Sequence, residues 1–590
     1  MSVPRPEHPR PDFERIDWRN LNGEWQFTVD VGSSGVEQGW QSGGREFDQR
    51  IIVPFPPESR LSGLGHTDFM HSLWYRRPFA FPDGWAGRRV LLHFGAVDYE
   101  ATVWVNGVEV GHHRGCYTPF TCDITHAAYP GEPNSLVVNA KDDCRSGLQP
   151  SGKQSPRLHS YGCMYTRVTG IWQTVWLEAV PRSYIQGFRL MPDLENAAAY
   201  VTLRLGGDPG RFEACLTVLN LDGSELRSFR RRVSGSTVTI PLEIEKARAW
   251  SPEDPYLYGL RLELLGEEGV RDEVQSYFGL RSVRVEQNHI LLNGKPRFLR
   301  FVLDQGYYPD GLYTAPSDEA LRKDIELAQA MGFNGARLHQ KVFEPRFLYW
   351  ADRLGYLVSG EFGDWGLNLA EPKAREAIVD EWMEALERDF NHPCLVMWTP
   401  FNERVFRRGD EASAALIRRV YRLTKRLDPT RPVIDTSGYT HVETDIYDVH
   451  DYEQDPAVFK SHYDRFAETG KGDDLYRRPG SEDAAYAGQP VMVSEYGGTW
   501  WREAQAEDGS WGYGKRPRNV QELLERYRAL TEALLLNPLV AAFCYTQLYD
   551  VEQEANGLYT YAREPKLPPE AVRRINRQPA RIEYSSTGER

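Results

Sequence analysis

At 590 residues the chain is too long for one hydrophobic core and divides into about three or four domains. A charged fraction of 26%, a mean hydropathy of −0.55 and no run approaching roughly 18 apolar residues describe a soluble globular protein without a membrane span. A net charge of −14 and a pI near 5.6 argue against a nucleic-acid partner and against an anionic membrane surface.

Aromatic residues reach 12%, with 16 Trp and 31 Tyr. Rings stack on sugar faces, but they also fill β-sandwich cores, so this enrichment alone favours a carbohydrate enzyme only slightly. Seven cysteines without CxxC spacing suggest neither a disulfide framework nor a structural zinc site. Cys116 and Cys122 are near enough in sequence to bridge; small buried thiols are the plainer reading. Residues 1–20 are rich in Pro and charge and carry no apolar h-region, which predicts a cytoplasmic protein.

Residues 1–181 read as all-β. Ala101-Thr102-Val103-Trp104-Val105 and Val108-Glu109-Val110 flank Asn106-Gly107, a type I′ hairpin signal, and a jelly-roll sandwich fits best. Residues 182–283 form a second strand-rich stretch, with runs at 200–205, 214–219 and 257–264, whose length suits an immunoglobulin-like sandwich. From 284 to 590 the pattern changes. Helical periodicity at 317–331, 345–354, 372–390, 412–427 and 520–536 alternates with short apolar runs. The runs at 298–303, 333–338, 356–359, 395–398, 432–436, 445–450, 491–494 and 540–545 give eight strands, the count of a (β/α)8 TIM barrel. A doubly wound sheet would want a Gly-rich turn after its first strand, and Asp304-Gln305-Gly306-Tyr307 is not one. The tail 577–590 is polar and predicted to be extended or frayed.

Two glutamates stand at the ends of apolar runs: Glu403 in Leu395-Val396-Met397-Trp398-Thr399-Pro400-Phe401-Asn402-Glu403, and Glu495 in Val491-Met492-Val493-Ser494-Glu495. The runs show no alternation, as expected of strands buried on both faces. Strands four and seven lie across a barrel from each other, so both carboxylates can converge over the mouth where barrels put their chemistry. Two facing carboxylates are the equipment of glycoside hydrolysis, and a retaining reaction wants them about 5–5.5 Å apart. A single Glu is ordinarily a solvated surface carboxylate; it is the pair on two buried strands that weakens this plain reading.

Asn402 is placed to hydrogen-bond a sugar hydroxyl. Other polar residues at strand ends are candidates for hydroxyl recognition or for supporting such groups: Asp304 and Gln305 on the first, Arg337 and His339 on the second, Glu361 on the third with Asp364 and Trp365 behind it, His450 and Asp451 on the sixth, and Tyr545 and Gln547 on the eighth. Trp500 and Trp501 either floor the sugar site or pack a loop. His339, His450, Asp451 and Glu361 lack H-x-H or HExxH spacing, so no metal and no cofactor is expected, and no G-x-S-x-G elbow is present.

Leu21-Asn22-Gly23-Glu24-Trp25, Gly170-Ile171-Trp172-Gln173-Thr174-Val175-Trp176-Leu177, Ile290-Leu291-Leu292-Asn293-Gly294-Lys295-Pro296, Asn402-Glu403 and Ser494-Glu495-Tyr496-Gly497 occur in this order and spacing. In this the chain resembles glycoside hydrolase family 2, which includes β-galactosidases, β-glucuronidases and β-mannosidases. The resemblance implies that Glu403 is the acid/base and Glu495 the nucleophile, that Arg337 keeps Glu495 ionised, and that Tyr496 hydrogen-bonds it. The same mechanism wants the Glu403 pKa raised by the charge of Glu495. His339 departs from the family, which often has histidine three positions after the arginine. Family glucuronidases carry Asn-x-Lys after the eighth strand, where this chain reads Asn556-Gly557-Leu558. A uronic acid is therefore disfavoured unless Arg563 or Lys566 takes the lysine's place, and a β-galactoside leads on family frequency alone, with an arabinoside, another neutral β-glycoside, β-glucuronide or β-mannoside as alternatives. A transglycosylase and a non-catalytic carbohydrate-binding protein stay open. The expected partner is a small or oligosaccharide glycoside, and family habit adds a homo-oligomer. From the jelly roll, Asp142, Asp143 and Tyr165 are candidates to reach the pocket.

Overall fold

A computed structural model describes residues 3–208, 210–267, 269–405, 410–477, 484–502 and 509–584. The chain opens with a six-stranded antiparallel sheet (Gly23–Val29, Gln49–Val53, Ser72–Phe79, Glu100–Val105, Val108–Arg114 and Asn134–Lys141) facing a four-stranded one. Residues of both sheets, Phe27, Val103 and Leu136 with Leu92 and Leu177, share one apolar core. The Asn106-Gly107 turn takes φ of 51° and 82°, the left-handed pair that a type I′ hairpin requires. A second sandwich follows, with a three-stranded sheet (Ser183–Asp193, Ala198–Gly207, Thr237–Glu243) and a four-stranded sheet (Phe212–Leu219, Glu225–Val233, Tyr258–Gly266, Gly269–Phe278) closing on Leu203, Leu216 and Leu262.

The remainder is a curled parallel sheet with helices outside, the TIM barrel that the alternating pattern predicts. Its seven regular strands pair in the order Leu395–Thr399, Leu357–Glu361, Gly335–Leu338, Leu299–Asp304, Val540–Thr546, Val491–Gly497 and Tyr447–Asp451. The expected strand at 432–436 is not regular. It joins its neighbour only through single bridges, Trp398 to Val433 and Asn402 to Ser437. Pro432 lacks an N–H, and the polar stretch that follows bonds sideways. Asp445 Oδ2 accepts from Val433 N (2.9 Å), and Ser437 Oγ donates to Asp448 Oδ2 (2.6 Å). Scattered backbone bonds, such as Ile434 N to Trp398 O (2.9 Å), and these side chains together close the barrel where a regular ladder is missing.

The five expected helices form at Asp318–Ala330, Pro345–Leu354, Pro372–Asp389, Glu411–Leu427 and Val520–Leu535. Two more, Pro456–Thr469 and Pro569–Asn576, were not anticipated; the first begins with Asp455 capping Ala457 N and Val458 N ahead of a Pro at its start. In the tail, Arg581–Glu583 makes a short 3-10 turn with Ile582 buried, and 585–590 lie outside the described residues. All seven cysteines are free thiols, Cys116 and Cys122 included. No helix among the described residues is long and apolar enough to cross a membrane.

Candidate active site

Arg337 sits at the centre of the barrel mouth, 1% exposed and fully engaged. Its Nε donates to Glu361 Oε2 (2.5 Å), its Nη1 to Glu495 Oε1 (2.8 Å) and its Nη2 to Asn402 Oδ1 (2.7 Å). Burial alone would lower the guanidinium pKa, but the charges of Glu361 and Glu495 outweigh it and drive the pKa up. Glu361 also accepts from Gln340 N (3.1 Å), lies beneath the arginine and serves as its counter-charge. Burial lifts its pKa against that pairing.

The second oxygen of Glu495 accepts a short hydrogen bond from Tyr452 OH. Burial, then the Glu495 charge, holds this phenol far above its usual range, so it remains a donor. Tyr452 stacks on Tyr513 with centroids 3.6 Å apart. His450 bridges the two glutamates, with Nδ1 2.8 Å from Glu403 Oε1 and Nε2 3.4 Å from Glu495 Oε1. One oxygen of each glutamate and a ring nitrogen of His450 lie within 4.8 Å of one another. That approach sets the two carboxylates on one site, nearer the short separation of a retaining pair than the wider one of an inverting pair.

Glu403 has a φ of 51°, rare for a non-glycine residue, and its N–H is held by Ser437 O (2.8 Å). Left-handed backbone of this kind costs of order 1–3 kcal/mol and persists where surroundings impose it. The expectation of a raised Glu403 pKa is overturned. Burial does push it up, but the hydrogen bond and charge of His450, with Lys153 and Tyr439, bring it down to about 2.

Several sequence candidates stand elsewhere. Tyr496 follows Glu495 and so points to the opposite face of its strand, where its OH pairs with Thr531 Oγ1 (2.9 Å) rather than with the glutamate. Tyr545 also faces outward, against Tyr496 and Tyr527. Asp304 is held by Tyr549 OH (2.5 Å) and Gly306 N (2.9 Å), and burial followed by the charge of Asp324 lifts its pKa to about 6. Trp500 is half-buried against Gly512 and makes no hydrogen bond to the glutamates. Asp142 is bound within the jelly roll by Gln149 Nε2 (2.6 Å), and Asp143 lies near Arg145 instead of the mouth. His339 lies 3.0 Å from Glu361 Oε1 without hydrogen-bond alignment, and burial followed by the charges of Lys153 and Arg337 keeps it neutral. Asn402 Nδ2, Gln305 Oε1, Gln547 Oε1 and His339 Nδ1 are buried without a partner among the described residues. Buried polar atoms are ordinarily satisfied, by protein or by water, so each of these keeps hydrogen-bonding capacity to spare.

The jelly roll completes the mouth. Ser151 N donates to Trp365 O (2.7 Å) and Gly152 N to Gly363 O (3.2 Å). Gly152 has a φ of 54°, and a Cβ there would lie 2.2 Å from Gln340 O, so only glycine allows this approach. The next residue, Lys153, sets its ammonium 4.0 Å from the centre of the Trp365 ring. Tyr165 binds Lys153 O through its N–H (2.7 Å) and donates 2.5 Å to Glu554 Oε2. Asn556 Nδ2 donates to Glu554 Oε1 (2.9 Å), and Asn556 Oδ1 accepts from Gln547 Nε2 (2.8 Å). Sequence reasoning missed Tyr452, Lys153 and Glu554. Strand alternation from His450 would have found Tyr452; nothing local marks Lys153.

Two groups have metal-ligand spacing among the described residues, Glu403–His450–Glu495 and Asp352–His392–Cys394. In the first, Arg337 already neutralises Glu495. In the second, burial holds Cys394 as a thiol, and Asp352 is taken by His392 Nδ1 (2.6 Å) and Cys394 N (2.9 Å). Neither donor set suits a resident ion.

Residues 66–177 match the sugar binding domain of glycosyl hydrolases family 2, residues 183–281 the model described simply as glycosyl hydrolases family 2, and residues 283–503 that family's TIM barrel domain. A β-glucuronidase of Paenibacillus borealis is 26% identical, over 94% of this chain and 96% of that protein. A β-galactosidase of Thermoanaerobacter pseudethanolicus is also 26% identical, over 56% of this chain and 44% of that protein. Among solved structures, a β-glucuronidase from Ruminococcus gnavus superposes with a TM-score of 0.79 at 19% identity, covering 97% of this chain and 99% of that one.

Proposed function

The chain belongs to glycoside hydrolase family 2, and from that premise we propose that it is an exo-acting, retaining β-glycosidase in which Glu495 is the nucleophile and Glu403 the acid/base. The observation that carries the assignment of the two glutamates is their approach within 4.8 Å around His450. Glu495, paired with Arg337 and oriented by Tyr452, attacks the anomeric carbon. The leaving oxygen takes a proton from the Glu403–His450 pair, which shares one hydrogen bond, and Glu403 then activates water to release the sugar with its configuration kept. The docking of segment 151–155 on the Gly363–Trp365 loop brings the first sandwich to the mouth, which supports an exo reading on a terminal sugar. A β-galactoside is the first substrate to try. A β-glucuronide is the second reading, favoured because most of the similar proteins carry that name.

The test is a panel of aryl glycosides against wild type, Glu403→Ala and Glu495→Ala. Release from one sugar should be abolished in Glu495→Ala and rescued by azide in Glu403→Ala, with a β-glycosyl azide as product. Undiminished turnover by Glu495→Ala would sink the mechanism.

A further inference from the structure

Lys153 is 6% exposed and donates no hydrogen bond among the described residues, although it carries a charge into the catalytic pocket. Buried ammonium groups are ordinarily paired. Its position is rigidly built. Segment 151–155 is hydrogen-bonded to the Gly363–Trp365 loop, Gly152 permits the contact, and the ammonium rests on the Trp365 ring, whose Nε1 donates to Asn402 O (3.2 Å). Glu554 is buried close enough to feel the charge of Lys153, and it is tethered by Tyr165 and Asn556. Tyr165 joins the two, since its backbone N–H holds Lys153 and its phenol holds Glu554. The glutamate keeps free lone pairs, because each of its oxygens accepts one hydrogen bond.

We propose that Lys153 and Glu554 form a donor–acceptor pair that grips hydroxyl groups of the glycosyl unit and selects an uncharged sugar over its uronic acid. The proposal rests on the glycosidase reading and supplies its substrate class. Lys153 can donate to a hydroxyl oxygen while Glu554 accepts a hydroxyl proton, so a neutral sugar satisfies both and leaves the pair balanced. A uronate beside Lys153 would also meet Glu554. With one proton on the Glu403–His450 pair, the carboxylates Glu361, Glu495 and Glu554 still outnumber the two fixed cations, Arg337 and Lys153. A further carboxylate in this buried site is repelled by the charge in excess. Names borne by similar proteins would suggest the opposite preference, so the proposal makes a prediction specific to this chain.

The experiment uses matched aryl glycosides that differ only at C6, β-galactoside with β-galacturonide and β-glucoside with β-glucuronide. Wild type should favour the neutral member of the preferred pair by at least about 100-fold in kcat/KM. Glu554→Gln should narrow that ratio by about 10-fold or more, because it removes the repelling charge and keeps the shape. Lys153→Met should lower kcat/KM for the neutral sugar by about 10-fold or more without gaining uronide turnover, and thermal melting checks that both variants fold. A wild type that prefers the uronide, with Lys153→Met losing only that activity, would make Lys153 a carboxylate receptor and overturn the proposal. Unchanged ratios in both variants would overturn it as well. Calorimetric titration of D-galactose, D-glucose and their uronates into Glu495→Gln separates the two failures. If wild type cleaves no glycoside, the enzymatic reading fails, yet tighter binding of a neutral sugar still supports the pair. Tighter uronate binding, or no binding of any of them, refutes it.

Discussion

At the scale of single residues, the site is governed by how Arg337 and His450 divide the two glutamates. Arg337 pairs with Glu495, whereas His450 ties Glu403 to the same centre through its other ring nitrogen. Tyr452 is the third control: it donates to the oxygen of Glu495 that Arg337 leaves free. Tyr452→Phe is therefore expected to lower kcat about 10- to 100-fold, the usual loss when one donor to a reacting carboxylate is removed. Tyr496→Phe, altering a phenol on the far face of the strand, should change kcat less than about 3-fold. Steady-state kinetics on any cleaved aryl glycoside compares the two, and a reversed ranking would refute the placement of Tyr452. Removing Arg337 is harsher, since it leaves Glu361 and Glu495 buried without a counter-charge. Arg337→Met should cost about 3–5 kcal/mol of stability as well as activity, read by urea unfolding.

At the scale of elements, the decisive piece is a loop rather than a strand. Segment 151–155 belongs to the first sandwich yet is bonded to the turn after the third barrel strand. Gly152→Ala would force a Cβ to 2.2 Å from Gln340 O and strain a φ of 54°. The expected result is a kcat/KM loss of about 10-fold or more, with most of the barrel's thermal stability retained. Wild-type kinetics in this variant would show that the loop does not shape the site. The same contrast explains what could be read from sequence. Apolar runs fixed seven strands and five helices nearly to the residue, because burial on both faces leaves a continuous signature. The stretch 432–436 was expected to be a strand too, but only single backbone bridges, helped by Asp445, Ser437 and Asp448 side chains, join it to its neighbours, and a hydrophobicity pattern carries no side-chain hydrogen bonds. Glu403, Glu495, Asn402 and Arg337 were legible because strand ends of a barrel converge by topology. Tyr496 and Tyr545 were misplaced by ignoring alternation along their own strands. Lys153 and Glu554 meet only after the first sandwich docks on the barrel, and nothing in 153's neighbourhood announces that.

At the scale of the whole molecule, the N-terminal segment joins all three parts. Arg15 donates to Glu178 of the first sandwich (2.8 Å) and to Asp272 of the second (3.1 Å), and Arg5 reaches Glu344 of the barrel (2.9 Å). Glu178 also lies within 4.0 Å of His8 and 3.8 Å of His93. Burial lowers both histidines to about 4; burial acts the other way on Glu178 but is outweighed by His93 and Arg15, leaving it at about 2. In the unfolded chain these groups bind protons more readily than in the fold, so stability is fully present above about pH 6.5 and falls as pH drops. The histidine contribution is lost between about 6.5 and 4, and that of Glu178 between about 4.5 and 2. Denaturant midpoints should therefore decline from pH 7 to 4.5, and His93→Asn should flatten that decline by an amount on the order of 3 kcal/mol. A midpoint constant over that range would rule this cluster out as the acid-sensitive joint. The contact of Lys153 with Trp365 carries the same theme into ligand binding. A sugar held between a residue of one folding unit and the glutamates of another acts as a clip. It adds about 2.7 kcal/mol to their docking once its concentration reaches 100 times Kd. Substrate abundance would then set how firmly the enzyme stays assembled, and starvation would loosen the first sandwich before it touched the barrel.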